Sequence, residues 1–412
     1  MSRSPAVLPR DVRIDSLRGL MLVEISLAHL HCPIALTFYE LFGRVSPAAG
    51  FVFLSGLVAG AVYSRTAEKG ASALTQRCVG RALYIHMYHL AAFLALLGLA
   101  VLSARVNGYF HFAIGDSVAG AAHALGWFAV WAYQPNLFDI LPLYGLFVLC
   151  MPPALMALRR NRGRAMLLVS LGVWALAQIG LGRIVHPSHF GFFQGDFDPF
   201  AWQVVFYSGL YLGYLHLYLR HRVVEVRPVL VALCLGVCAL GLTMRWELLE
   251  WSALWSPEGW LASKQNYGPA YLVNFLAFAY LLYALATRLP RAFNWPVLAF
   301  LGRHSIQVFS LHVVAVYLAS PLIGRAAARG PWTLNMLGAV LVASLFAAAW
   351  CHSWWRRNAV PALQDSLRQL IPRASSAPLG RFSGTGVCVR RNSTTNRSPS
   401  KEDTRPTKSL RA

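Results

Sequence analysis

The chain has 412 residues, 57% of them hydrophobic and only 13% charged, and its 37 Lys and Arg against 16 Asp and Glu give a formal charge of +21. That balance, with a mean hydropathy of +0.49, excludes water as the main solvent, and apolar runs of about 20 residues are long enough to cross ~30 Å of hydrocarbon. The positive charge would suit a nucleic-acid binder, but it is spread over short connections and a tail; membrane topology accounts for it and no nucleic-acid partner is expected.

Taken in chain order, residues 1–14 read as a cytosolic lead-in. Helices are then predicted near 15–36, 46–64, 82–104, 139–158, 165–182, 199–219, 228–245, 269–287, 294–320 and 332–354. Runs such as Leu90–Leu102 and Val229–Leu242 are apolar without the period-two alternation of a barrel strand. The fold class expected is therefore all-α, a polytopic transmembrane bundle of about ten helices over residues 15–356. The apolar stretch 116–132 is too short for an eleventh span and reads as a re-entrant or interfacial piece. Arg10–Arg13 followed by an apolar stretch has the polarity of a signal peptide, but no small-residue cleavage site closes it, so it stays as the first membrane helix. Residues 357–412 form a basic tail whose last part, from Arg373, is rich in Ser, Thr, Pro and Arg and is expected to remain disordered, touching anionic lipid.

The short connections set orientation, because Lys and Arg are retained on the cytosolic side. Loops on the side of the N-terminus carry thirteen: Arg65, Lys69, Arg77, Arg81, Arg159, Arg160, Arg162, Arg164, Arg220, Arg222, Arg227, Arg288 and Arg291. The other side carries seven, offset by Asp196, Asp198, Glu247, Glu250 and Glu258. Both termini are expected in the cytosol of a cell with an inner membrane. The seven cysteines are scattered, most of them within helices, and imply neither a disulfide nor a metal site.

Chemistry begins in the first helix. At 100° per residue, Arg18 at 0° is followed by His29 at about 20° and Asp15 at about 60°, so the three share a face, with Glu24 and His31 on the other side. Arg18 and His29 are about 16 Å apart along the axis. Ionisable groups at membrane depth are expensive and mark sites or pathways, so an aligned shallow Arg and deep His suggest a polar channel. The plainer reading has Arg18 snorkelling to headgroups and His29 bonded to a neighbouring helix.

Asp11-Val-Arg-Ile-Asp15-Ser-Leu-Arg18-Gly-Leu, the Arg, ten residues, His spacing, and Phe51-Val-Phe-Leu-Ser55-Gly56 together resemble the OpgC family of membrane acyltransferases. Further matches are Asp139-Ile-Leu-Pro142-Leu-Tyr144, Asp198-Pro199-Phe-Ala-Trp202-Gln203 and Leu301-Gly302-Arg303-His304-Ser305, spread over residues 11–312. That family is similar to the wider acyltransferase-three superfamily. The resemblance implies transfer of an acyl group, typically succinyl, onto periplasmic glucans, with Arg18 and His29 as the essential pair. Where the family pattern has acids, this chain has Ala28 and Gly50.

The same chemistry follows from residue types. Neutral His suits removal of a sugar hydroxyl proton near neutral pH, and a guanidinium at the cytosolic mouth can hold the phosphates of acyl-CoA as donor substrate. No permanently bound cofactor is implied. A transient acyl-histidine is an equal alternative.

Around this pair, Asp139 reads as an acceptor-site acid or an N-cap, and Gln203 and Trp202 as sugar contacts, Trp202 more readily as a membrane-interface anchor. Asp15, Ser55, Arg303, His304, Ser305 and His312 are supporting candidates. His86 and His89 are expected at a membrane interface. Outward loops 183–202 and 245–267, with Trp246, Trp251, Trp255, Trp260 and Tyr267, could stack on sugar rings. A transporter would also explain buried polar groups but lacks the repeated halves, and an intramembrane hydrolase would use Ser55 with a His. A topology reporter after Ala412 and one in the 159–164 loop should both read cytosolic, and one within 245–266 extracytoplasmic. A C-terminal reporter active only outside would overturn the helix count.

Overall fold

The structure is a computed structural model that describes residues 10–102, 118–181, 197–221, 224–246, 248 and 261–370. Helix α1, Val12–His29, opens behind Asp11, whose carboxylate accepts the Arg13 N–H at 3.0 Å. It stops at His31, which sits at φ 54°, and Pro33 begins the short α2, Pro33–Phe38. The single helix expected over 15–36 is thus two, because a proline cannot donate to the ladder. Ser46 caps α3, Pro47–Ala67, accepting the Ala49 N–H at 3.3 Å. There follow α4, Ala71–Leu102; α5, Val118–Ala129; α6, Ile140–Leu149; α7, Met151–Arg159; and α8, Gly163–Gln178. Helix α9, Pro199–Leu212, runs on into a π-helical turn, Gly213–Tyr218. After α10, Pro228–Arg245, and α11, Pro269–Arg288, a 3-10 turn at Pro290–Phe293 leads to α12, Pro296–Arg303, then α13, Ser305–Ala328, and α14, Pro331–Leu370.

The chain is an all-α, polytopic membrane bundle. By length and composition α3, α4, α10, α11, α13 and α14 can each cross a membrane, and α6 with α7, bent by 44°, makes a seventh if taken as one span. The remaining expected spans fall short for visible reasons. Helix α1 carries Arg13, Asp15, Arg18 and Glu24, α8 has 16 residues, and α9 has 14 before its π-helical turn. The expected 294–320 helix breaks at His304, so Arg303 closes α12 and Ser305 opens α13. Within the segment expected to be tail, α14 continues from residue 357 to Leu370; residues 371–412 lie outside the described residues. The 116–132 stretch holds the 12-residue α5.

Helix α3 is central, with 78% of its most apolar window buried, whereas α10, with 17%, turns Val229, Leu233 and Leu235 outward. Trp332, Met336, Val340 and Trp350 do the same on α14. Such faces suit a hydrocarbon surround.

Two crossings without side chains hold the centre. On α3 and α9, Gly56, Gly60, Gly209 and Gly213 interlock; a Cβ at Gly56 would meet the Phe206 carbonyl at 2.1 Å and one at Gly213 the Leu57 carbonyl at 1.9 Å. On α1 and α12 the pair is Gly19 and Gly302, where a Cβ would lie 1.9 Å from the Leu298 and Asp15 carbonyls respectively. In lipid, where apolar burial does not drive helices together, such backbone approach is a main source of association. Gly302→Val should therefore force α1 and α12 apart and cost at least ~1–3 kcal/mol. Yield of monodisperse protein and thermal unfolding in detergent would check it; a variant as stable as the parent would rule the crossing out as a key contact.

Candidate functional site

The α1–α12 crossing decides what faces what. Ser16, three residues before Gly19, bonds the Val12 carbonyl at 2.8 Å and accepts the Trp295 N–H at 3.1 Å, tying the start of α12 to α1. Asp15, 4% exposed, takes a two-point contact from Arg10 at 2.5 and 3.0 Å and lies 3.7 Å from the Arg303 guanidinium. The structure thus brings Asp15 and Arg303 together, and an otherwise costly buried carboxylate has two cations.

Arg18 projects into the space beyond Gly302. Its Nη2 donates to the Ser305 hydroxyl at 2.7 Å, and its guanidinium lies 5.3 Å from the centre of the Phe51 ring, which is itself offset-stacked with Phe309 at 6.5 Å. Nε is buried and has no acceptor, so the guanidinium keeps donor capacity that no described residue uses. Three of the sequence motifs therefore meet at one point: Arg18, Phe51 and Ser305.

His29 is answered by His312. The rings stack with centres 5.1 Å apart and planes at 23°, and His29 Nδ1 is 2.9 Å from His312 Nε2. His312 is 1% exposed, and its Nδ1 is 2.9 Å from the Phe309 carbonyl. A carbonyl can only accept, so the network assigns the His312 proton to Nδ1 and makes its Nε2 an acceptor. His29 then donates from Nδ1, and its Nε2 is left as a lone pair that no described residue engages, on a half-buried ring. This pairing, between residues 283 apart in sequence, was not visible there; only the shared helical face of Arg18 and His29 was.

Other candidates are placed differently. Trp202 is fully buried, its Nε1–H donating to the Lys264 and Gln265 carbonyls at 3.2 and 3.1 Å, with Phe197 and Tyr267 against its ring. It fastens the 263–268 turn. Gln203 receives the Ser170 hydroxyl at 2.6 Å and donates to the Ser170 carbonyl at 2.7 Å, pinning α9 to α8. Asp139 is buried at the N-cap position of α6, without a side-chain cap bond. Ser55 is buried on α3, and its hydroxyl bonds none of the described residues. His304 faces the Phe300 carbonyl at 3.0 Å and the His352 ring. His89, expected at an interface, is 1% exposed between Phe128 and Phe138, and His86 accepts the Trp131 indole N–H at 2.7 Å. Trp246 is exposed and Tyr267 buried, while Trp251, Trp255 and Trp260 lie outside the described residues.

Behind α1 a cavity of about 430 Å³ runs along the opposite face, past Leu17, Met21 and Glu24, against Phe53 of α3 and Phe275 of α11. It touches neither Arg18 nor His29. The polar line and the apolar cavity are separated by the helix itself.

These features define a helical membrane protein with a buried Arg–Ser contact and a His–His pair spaced along one helix face. The OpgC protein family matches residues 10–357, and the chain belongs to that family. Membership suggests a membrane-associated, glucan-modifying acyltransferase and implies a transferase. No curated protein and no solved structure matches the chain. If Trp202 acts by holding the 263–268 turn, Trp202→Phe should lower stability by ~1 kcal/mol through its lost indole bond. Thermal unfolding of the purified protein measures this, and an unchanged midpoint would remove the indole from that role.

Proposed function

We propose that the chain is an O-acyltransferase that moves an acyl group, succinyl or similar, from cytosolic acyl-CoA to a hydroxyl of a periplasmic glucan or related glycan. In this reading it resides in the inner membrane with both termini cytosolic, and the Arg18 end of α1 faces the donor. The observation that carries it is the His29–His312 pair, which leaves His29 Nε2 unprotonated and half-buried. Arg18 supports it from the other end, since its unused donors suit the phosphates of a coenzyme thioester.

The step follows from those groups. His29 Nε2 takes the proton of the acceptor hydroxyl as its oxygen bonds to the thioester carbonyl carbon; the carbon–sulfur bond then breaks, and the coenzyme thiolate recovers that proton from the imidazolium. His312 is a positioning residue: by accepting from His29 Nδ1 it fixes the tautomer and ring plane. Ala28 stands where the family pattern has a carboxylate, and His312 supplies the orienting bond instead. A serine-hydrolase reading gains no support, because the Ser55 hydroxyl bonds no base among the described residues.

Comparing surface glycans of cells with and without the protein by mass spectrometry should show a missing mass increment that names the acyl group. With purified protein, His29→Ala should lose turnover by roughly 10²–10⁴-fold while retaining donor binding. Arg18→Lys keeps charge but loses the planar fork, so it should raise the donor KM with much of kcat retained. His312→Gln, which still offers an acceptor, should fall between His312→Ala and the parent in kcat and leave KM for the donor unchanged. Full turnover in His29→Ala would reject the general-base role.

A further inference from the structure

The connection between α2 and α3 is a tightly held turn, and what it presents is a cation whose guanidinium bonds no described residue. Glu40 sits at φ 55° and Gly43 at φ 94°, two left-handed residues within four positions. A Cβ on Gly43 would meet Asn274 Oδ1 at 2.3 Å and the Gly241 backbone at 2.9 Å, so the turn is pressed between α10 and α11. Asn274 of α11, 3% exposed, fastens it from both sides: Oδ1 accepts the Arg44 N–H at 2.6 Å, and Nδ2 donates to the Phe42 carbonyl at 3.2 Å. Strained backbone held this firmly is usually held for a reason at the side chains it presents.

Those side chains are unbalanced in charge. Arg44 is 8% exposed, its Nε is buried without an acceptor, and none of its guanidinium nitrogens bonds a described residue. The nearby carboxylate, Glu40, is already engaged, accepting from the Tyr271 hydroxyl at 2.8 Å and facing the Arg245 guanidinium at 3.3 Å. Arg44 and Glu40 both act electrostatically on Tyr271. Lys264, on the turn fastened by Trp202, donates to the Tyr39 hydroxyl and lies 5.1 Å from that ring's centre. Arg245 thus meets Glu40 and Lys264 meets Tyr39, while the Arg44 guanidinium bonds no described residue, in the turn that follows α2 beyond the His29 end of α1. A buried guanidinium without a counter-ion is among the most unfavourable arrangements in a protein interior, and its planar fork matches a carboxylate or phosphate.

We propose that Arg44 is an oxyanion-binding site in the turn beyond the His29 end of α1, taking a carboxylate or similar acidic group of a molecule that reaches the histidine pair. The link to catalysis rests on the acyltransferase reading above; the anion site itself does not. Two sources carry this chemistry: the distal carboxylate of a dicarboxylic acyl group, and an acidic substituent on the acceptor glycan. Either would place its charge at Arg44 while its reacting atom lies towards His29.

The test uses the full chain in zwitterionic nanodiscs. Methyl hydrogen succinate should raise the unfolding temperature and uncharged dimethyl succinate should not. Arg44→Gln should weaken the anion response by roughly 10–100-fold, and Arg44→Lys should keep part of it, which guards against a folding defect. Equal responses to the charged and neutral esters, or an undiminished response in Arg44→Gln, would overturn the site. Turnover then separates the sources. A raised KM in Arg44→Gln for succinyl-coenzyme A but not butyryl-coenzyme A assigns the acyl carboxylate, and a raised KM for an acidic glucan but not a neutral one assigns the acceptor. Anion binding that depends on Arg44 in a protein without transfer from any donor would leave the site standing and reject the acyltransferase reading.

Discussion

The arrangement depends on the approach of α1 to α12 through Gly19 and Gly302. With no side chain between them, each backbone reaches the other's carbonyls, and the joint at His304 then sends α13 up alongside α1. Arg18 comes to Ser305 and, further along, His29 comes to His312, so one helix pair is registered at two heights. Both contacts are side chain to side chain across more than 280 residues of sequence, and neither survives a change of helix spacing. The packing of small residues, which in water would be a minor contribution, is here the constraint that places the chemistry.

Charge inside such a bundle has to be arranged, because hydrocarbon supplies no compensation. Asp15 is held by Arg10 and Arg303 near the first turn of α1, and Arg18 rests on the Phe51 ring and one hydroxyl. The contrast between them is informative. Asp15 has its bonding satisfied and acts as a clasp between α1 and α12, whereas Arg18 and Arg44 keep donors that no described residue fills. Fully engaged charges hold helices; under-engaged ones are where a ligand's charge would be accommodated.

Much of this was legible in sequence, and the remainder was hidden for definite reasons. Helix α10 matches its predicted limits, because Pro228 and Arg245 mark both ends. The shared face of Asp15, Arg18 and His29 follows from helical periodicity alone. The breaks at His31 and His304 do not, since apolar periodicity continues across them; Pro33 and the Leu301-Gly302 dipeptide were the available signals. The Gly56-x-x-x-Gly60 and Gly209-x-x-x-Gly213 spacings could have announced the α3–α9 crossing. Trp202 and Gln203 were singled out as sugar contacts or anchors, and their bonds are to backbone and to Ser170, which no single-chain pattern distinguishes. His312 as partner to His29 needed three dimensions.

The use of histidine as the orienting group has an energetic consequence on the proposed mechanism. A carboxylate in place of His312 would stabilise the imidazolium strongly but would bring a full charge into a position only 1% exposed, at a desolvation cost that must be met by further bonds. His312 is neutral and needs only the Phe309 carbonyl, so the resting pair is inexpensive to bury. In exchange it offers the imidazolium a dipole in place of a charge, which makes His29 a weaker base than a carboxylate-paired histidine would be. The proton must therefore leave quickly, and the leaving thiolate of the coenzyme, formed in the same step, is an acceptor of suitable strength. A neutral dyad fits a reaction in which His29 carries the proton only from hydroxyl to thiolate, without storing it.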